Sequence, residues 1–486
     1  MPTMTGRQYA TVQDWGGRSR VQPGDEGAVA KRAALLSWAA SKAGSMRWLL
    51  FAIILLAFGL DTMMTSFDDA ERNFGEVSTS EWVHTNYWVK SADCARETGA
   101  WLALCADDGK LKPISEEAIG DDPGHAFLLA LWAIGSDEPI SLVDVAWLNI
   151  TLNTLGFLLL AGFLFAVRAY PCAVLFMYLG PVVYLKWIGV SPHWGLLGVA
   201  SMAAVLPMAI LAKEYGFLSS RLGQWFIGLS LLGLASASLV REAIGTMVIV
   251  TALCTIGFIA SRRRRSGKGL RDLVAISFLL VVAYSAPLAV TTARDLAFDI
   301  EPGQLVQRHG FSDILYMGLG AVPNSFGIHY SDWVALADAQ KVDPDVVHCS
   351  PAFYEIMWDL YLEKVFTDPA EVARIYFEKA WLILSDPVLD PGPPLAIILF
   401  VGLCHFIVAQ AFGLWSKVGF PQGALVQGAA LVFIGFFVAQ AILASPGRTY
   451  AMPMGAAILT LLGVLLGFHL RAAYVAVKRY LATSQN

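Results

Sequence analysis

The sequence predicts an all-α polytopic membrane protein with about 10 transmembrane helices and two extracytoplasmic loop subdomains. Hydrophobic residues make up 56% of the 486 residues and charged residues 15%, whereas soluble domains have roughly 45–50% apolar and about 25% charged residues. Apolar runs of membrane-spanning length recur along the chain. Lys and Arg are unevenly distributed between the segments that join these runs. The net charge of −5 offers no basis for binding nucleic acid.

The first span is predicted at Trp48–Ser66, an apolar run close to the roughly 20 residues that cross a bilayer. It is not a secretory signal peptide, because a long polar segment precedes it and no small-residue cleavage site follows. The run from His125 to Gly135 is too short to span, so we expect it to lie in the interface or to re-enter the membrane. The later spans are predicted at residues 145–167, 170–189, 194–212, 224–240, 243–261, 272–292, 394–415, 424–444 and 450–471.

The distribution of basic residues predicts the orientation. With the N-terminus in the cytoplasm, the inner segments hold 20 of the 34 Lys and Arg residues, although the outer segments are longer. Both termini are therefore expected in the cytoplasm and the protein in the cytoplasmic (inner) membrane. The expected domains are a tail at 1–45, a transmembrane module at 46–292 with an outer loop at 67–144, an outer subdomain at 293–393, and C-terminal helices with a short tail at 394–486.

The first outer loop contains the candidate catalytic carboxylates. Asp68, Asp69 and Glu71 follow within a turn or two of the point where the first span leaves the bilayer. A carboxylate held there can deprotonate an acceptor hydroxyl, and adjacent carboxylates raise each other's pKa toward neutrality. The alternative is a solvated acidic loop, since this loop holds 16 Asp or Glu against 5 Lys or Arg. His125 follows a Pro-Gly turn and could orient a carboxylate, act as an acid, ligate a metal, or be purely structural.

The cysteines suggest a disulfide and no structural zinc site. Cys94 and Cys105 lie close together in the first outer loop, in an oxidising compartment, so a bond between them is plausible. No CxxC or Cys/His spacing typical of zinc occurs. Nothing in the sequence demands a cofactor, and it does not decide whether a divalent metal takes part.

The second outer loop is aromatic and rich in turns, with two helices expected between about 352 and 383. Aromatic faces next to hydrogen-bonding groups suit a sugar, and the alternative is a subdomain that merely caps the helix bundle. Basic residues at outer positions oppose the positive-inside preference, and arginine suits phosphate, although Arg241 could instead pair with Glu242. The candidate sugar-binding residues are His309, Asn324, His329, Asp332 and Trp333, and the candidate phosphate-binding residues are Arg241, Arg294 and Arg448.

Three short stretches resemble the GT-C class of membrane glycosyltransferases. Phe-Asp-Asp-Ala-Glu-Arg at 67–72 resembles the acidic motif of its lipid A aminoarabinose and protein mannosyl branches. Pro-Gly-His-Ala at 123–126 is similar to the start of their membrane-surface helix, and Trp-Leu-Asn-Ile-Thr-Leu-Asn at 147–153 to the start of their second span. The arginine that the family has in that span is absent, and Trp147 stands there or close by. The second outer loop has no counterpart in those branches and instead resembles uncharacterised bacterial membrane proteins of polysaccharide type.

The resemblance implies an inverting sugar transfer at the outer face of the membrane. The donor would be a sugar on a polyprenyl phosphate and the acceptor a glycan or a lipid. Asp68 or Asp69 would act as the base, with Glu71 and Arg72 in the same motif, and an arginine would hold the leaving phosphate. Two other functions remain open: a transporter or flippase for a lipid-linked glycan, which predicts repeats or broken helices, and a non-catalytic assembly factor for cell-surface polysaccharide.

Overall fold

The computed structural model describes residues 59–77, 83–106, 109–113, 124–135, 137–184, 196–299, 311–387, 392–446 and 454–483, with isolated positions between 50 and 57. The chain divides into two compact units, Met1–Ile54 and Leu55–Asn486. All contacts reported below belong to the second unit.

The predicted first outer loop (residues 67–144, the first outer segment) is mostly helical among its described residues and contains one small sheet. Helix α1 is described without a break over residues 59–74, so the acidic motif is helical and lies beyond the predicted end of the first span. Helices α2 (Val83–Thr98) and α3 (Gly124–Trp132) flank two antiparallel strands, β1 (Ala103–Cys105) and β2 (Leu111–Pro113). Apart from this hairpin, the described residues form helices and connecting loops, in agreement with the predicted all-α class. The predicted disulfide is formed and joins Cys94 in α2 to Cys105 in β1.

Six described helices are long and apolar enough to cross a membrane. Helix α4 begins with a capping box, in which Ser141 and Asp144 satisfy each other's backbone amides. The predicted count of about 10 is not confirmed, because two further apolar helices are shorter and the first half of the first predicted span is described only at isolated positions. The helices after the first outer segment are α4 (Leu142–Ala166), α5 (Tyr170–Tyr184), α6 (Leu196–Glu214), α7 (Ser220–Val240), α8 (Glu242–Arg265) and α9 (Arg271–Ala297).

An ion-pair network marks one side of this helical module. Arg263, in the last turn of α8, donates to Glu214 at the end of α6 and to Asp272 at the start of α9, each at 2.5 Å. These three helix ends therefore lie together. Helix α9 begins at this network, and α7 begins shortly after α6 ends there. The last residues of α7 and α9 therefore lie on the opposite side of the module.

Helices α4 and α6 approach each other closely at glycines. A Cβ atom built on Gly198 would lie 2.1 Å from the carbonyl oxygen of Leu152, and one on Gly156 would lie 2.2 Å from the carbonyl oxygen of Gly198. The backbone amide of Gly198 also donates to Oδ1 of Asn153 at 2.9 Å. Small residues that let backbones touch are typical of helix packing in membranes.

The predicted second outer loop (residues 293–393, the second outer segment) has a hydrophobic core of its own. It consists of α10 (Phe311–Gly318), a 3₁₀ turn (Leu319–Ala321), α11 (Asp332–Val342), α12 (Pro351–Thr367) and α13 (Pro369–Ser385). The two helices expected between about 352 and 383 are thus present, and each begins with a capping side chain followed by proline. The core consists of Tyr316, Met317, Leu319, Val322, Ile328, Ala335, Ala339, Val346, Phe353, Met357, Val372 and Ile375.

The C-terminal helices pack onto the earlier ones. They are α14 (Leu395–Ala411), the short α15 (Leu414–Lys417), α16 (Pro421–Leu443) and α17 (Met454–Thr483). Helix α17 packs against α5 and α16, and α16 also packs against α6 and α8. A Cβ atom on Gly463 of α17 would lie 2.9 Å from the sulfur of Cys172 in α5, so this contact is also close. The C-terminal helices therefore belong to the same bundle as α4–α9.

Candidate functional site

The acidic motif is held against α4 by Trp147. The indole Nε1 of Trp147 donates to the carbonyl oxygen of Phe67 at 3.4 Å, and the two rings meet edge to face at 5.8 Å. Ser66 and Ala70 are buried on the same side of α1. Trp147 thus fixes the backbone immediately before the carboxylates.

The carboxylates of the motif differ in their surroundings. Asp68 and Glu71 are exposed, whereas Asp69 is half-buried and accepts a hydrogen bond from the guanidinium of Arg72. Arg72 also donates from Nε to the backbone oxygen of Asp68 at 3.4 Å. Arg72 is therefore engaged within the motif itself. Asp68 is the more accessible of the two aspartates, and Asp69 the more constrained.

His125 is a buried residue of α3 that contacts both α2 and α4. It is fully buried, its Nε2 lies 3.1 Å from Oδ1 of Asn149 in α4, and its ring contacts that of Trp88 at 5.5 Å. Burial lowers the pKa of His125 to about 4. Burial therefore favours the uncharged imidazole at neutral pH. Its Nδ1 atom is buried and has no hydrogen-bond partner within the part of the chain that the structure describes.

Helix α3 links the start of α4 to the end of α7. A Cβ atom on Gly124 would lie 2.2 Å from the carbonyl oxygen of Leu239, so the first turn of α3 rests directly on the last turn of α7. Arg241 follows and caps both the end of α7 and the start of α8, with its side chain half-exposed. The acidic motif, His125 and Arg241 therefore lie on one side of the bundle, opposite the Arg263 network.

Arg294 is the most buried of the predicted phosphate-binding residues that the structure describes. Its side chain is only 2% exposed, in the last turn of α9. Nε and Nη2 both donate to Oδ1 of Asp295, at 2.9 and 2.6 Å. Nη1 is buried and has no hydrogen-bond partner among the described residues. Because α9 packs against α7 and runs in the same direction, Arg294 lies on the same side of the bundle as Arg241.

The candidate sugar-binding residues of the second outer segment divide into two kinds. Asn324 orders its own loop, since its amide donates to the carbonyl oxygens of Val322 and Ile328 and accepts from the amide of Ile328. His329, Asp332 and Trp333 are all exposed around the start of α11, with Trp333 68% exposed. His309 and Arg448 lie outside the described residues.

Lys379 is a buried charged residue that the sequence analysis did not single out. It is completely buried in α13, and Nζ donates to the carbonyl oxygens of Gly318 and Leu443, each at 2.9 Å. Burial lowers the pKa of Lys379 to about 7. The signal was available, because Lys379 continues the apolar stripe that Val372 and Ile375 begin at helical spacing. Its contacts join the second outer segment to the end of α16.

Within the described residues, no group of three or more His, Cys, Asp or Glu side chains could hold a metal ion. No protein-family model matches the chain, and neither the curated proteins nor the solved structures contain a match to it.

Proposed function

We propose that the protein is a membrane glycosyltransferase of the cytoplasmic membrane, with both termini in the cytoplasm. It moves a sugar from a polyprenyl-phosphate donor to a glycan or lipid acceptor at the outer face. The observation that supports this best is Arg294, a buried guanidinium whose Nη1 has no acceptor among the described residues, on the same side of the bundle as the acidic motif. A buried donor without an acceptor requires an explanation, and a phosphate oxygen is an acceptor that arginine binds well.

The proposed reaction is a single displacement at the anomeric carbon. Asp68 or Asp69 takes the proton from the acceptor hydroxyl as its oxygen attacks that carbon. The bond between the anomeric carbon and the phosphate oxygen breaks, and polyprenyl phosphate leaves with the electron pair. Arg294 stabilises the charge on the leaving phosphate, and Arg241 or Arg448 supplies the second contact.

The remaining residues position these groups. Trp147 holds the backbone at Phe67, so the base does not drift as the acceptor binds. The exposed His329, Asp332 and Trp333 are proposed to contact the acceptor or the sugar. We assign Asn324 a structural role instead, because its side-chain amide already forms hydrogen bonds with backbone groups of its own loop.

The transporter alternative has less support. A flippase is expected to have broken helices near the middle of the membrane. Helix α6 and helix α9 instead run without interruption through Pro207 and Pro287. A non-catalytic assembly factor would need neither an ordered acidic motif nor a buried arginine whose Nη1 has no acceptor in the described part of the chain.

A transfer assay in proteoliposomes, with donor lipids extracted from the native membrane, tests the proposal. Asp68→Asn and Asp69→Asn are compared with Glu76→Gln, an exposed carboxylate just beyond the end of α1. Removal of the base is expected to lower the rate by about 10²–10⁴-fold, while Glu76→Gln leaves it unchanged. Full transfer by both aspartate variants would exclude Asp68 and Asp69 as the base.

A further inference from the structure

Helix α13 has two faces of opposite character. One face is buried and contains Val372, Ile375, Lys379 and Ile383. The other exposes large aromatic side chains in the C-terminal half of the helix, where Phe377 is 73% and Trp381 65% exposed. These two residues are four apart and therefore lie on the same side of the helix. An exposed aromatic pair of this kind needs an apolar or amphipathic environment.

The contacts of the buried face locate this aromatic pair relative to the end of α16. Nζ of Lys379 donates to the carbonyl oxygen of Leu443, the last residue of α16, which is apolar and long enough to span the membrane. Helix α13 is therefore level with the end of α16 at Lys379, to within the length of a lysine side chain. Phe377 and Trp381 each lie two residues from Lys379, or about 3 Å along the helix axis.

The neighbouring helices indicate what surrounds the pair. The chain continues from α13 into α14, an apolar helix that begins at Leu395. Helix α12 exposes three carboxylates, Glu355, Asp359 and Glu363, and is unsuited to a lipid surface. In α13, the carboxylate next to the aromatic pair is that of Glu378, and it forms an ion pair with Arg374.

We propose that α13 is an interfacial helix whose Phe377 and Trp381 insert into the headgroup region of the outer leaflet. Tryptophan and other aromatic side chains concentrate at that depth because the ring is apolar and its edge is polar. The lipid bilayer thus covers the aromatic face, and Lys379 anchors the opposite face to the end of α16. The proposal concerns how the second outer segment rests on the membrane and does not depend on sugar transfer.

Photo-crosslinking in native membranes tests the proposal. The photoreactive residue p-benzoylphenylalanine replaces Phe377, Trp381 or, as the control, Trp358 on the acidic side of α12. Phospholipid adducts, identified by mass spectrometry, are expected at 377 and 381 but not at 358. Adducts to a second copy of the chain or to another protein, no adducts, or equal lipid adducts at all three positions would overturn it.

A second measurement avoids the bulky residue. In vesicles with brominated outer-leaflet lipids, tryptophan fluorescence is quenched only by contact with lipid. The Trp381→Phe variant is expected to lose part of the quenchable emission, whereas Trp358→Phe is expected to lose none. Equal loss in the two variants, or no loss in Trp381→Phe, would place Trp381 away from the bilayer.

Discussion

A single methyl group at Gly198 should weaken the contact between α4 and α6. The Cβ atom of alanine would lie 2.1 Å from the carbonyl oxygen of Leu152 and 2.6 Å from the amide nitrogen of Asn153. Both are backbone atoms of α4, so relief requires the helices to separate by about 1 Å or more. Overpacking of this kind costs about 1–3 kcal/mol. Weakening the hydrogen bond from Gly198 to Asn153 adds about 1 kcal/mol.

Gly198→Ala is therefore expected to lower the free energy of unfolding by about 2–4 kcal/mol, as the sum of these two effects. The assay is thermal unfolding of the purified protein in detergent, followed by tryptophan fluorescence. The matched control is Gly162→Ala in α4, where a Cβ atom meets nothing within 4 Å. That substitution should be neutral or slightly stabilising, because alanine favours the helix by about 0.5–1 kcal/mol. If Gly198→Ala unfolds at the same temperature as Gly162→Ala, the close α4–α6 contact is incorrect.

Three further predictions concern the outer segments and the topology. The pKa of Lys379 is about 7 in the folded protein and about 10.4 in the unfolded chain. The unfolded chain therefore binds more protons between these two pH values, and the stability of the protein should rise with pH in that range. Thermal unfolding at pH 7 and pH 9 should show this rise in the wild type and a smaller rise in Lys379→Met. Replacing both Cys94 and Cys105 by serine opens a short loop and should cost about 2–4 kcal/mol of stability, and an unchanged melting temperature would contradict this. In intact cells, a membrane-impermeant thiol reagent should label cysteine at position 341 and not at 265, and protection at 341 would exclude an external second segment.

Much of the helical framework follows from apolar run length alone. The spans predicted at 224–240 and 424–444 correspond to Ser220–Val240 and Pro421–Leu443. In both cases the C-terminal end of the apolar run lies within one residue of the end of the helix, so composition marks that boundary. The prediction fails where a helix continues past its apolar run, as α1 does through the acidic motif to residue 74. A charged helical extension has no hydropathy signal.

The hairpin of β1 and β2 illustrates a second limit. Each strand has three residues, too few to show an alternating pattern. Its stability comes from the bond between Cys94 and Cys105 and from the burial of Leu104, both of which depend on the folded arrangement. The disulfide itself was a sound expectation from spacing and compartment.

The sequence indicated which residue types belong to the candidate site, but not their burial or their hydrogen-bond partners. Arg294 was selected for its outer position, but its pairing with Asp295 and its unused Nη1 depend on how α9 packs. His125 was considered as an acid because it follows a turn, yet the packing of α3 on α4 buries it completely. Asn324 likewise turned out to bond its own loop. Sequence periodicity does not show which polar groups a fold will enclose.

The most direct test of the proposed function is the identity of the lipid that the protein retains. Lipids extracted from the gently purified wild type should contain a polyprenyl phosphate or its sugar-linked form, detected by mass spectrometry. The amount should fall sharply in Arg294→Ala, in a preparation whose folding is checked by melting temperature, and should persist in Asp68→Asn, which removes a proposed base and leaves the phosphate contacts intact. Absence of any polyprenyl phosphate from the wild type, or equal amounts in the wild type and a folded Arg294→Ala variant, would contradict a lipid-linked sugar donor held by Arg294.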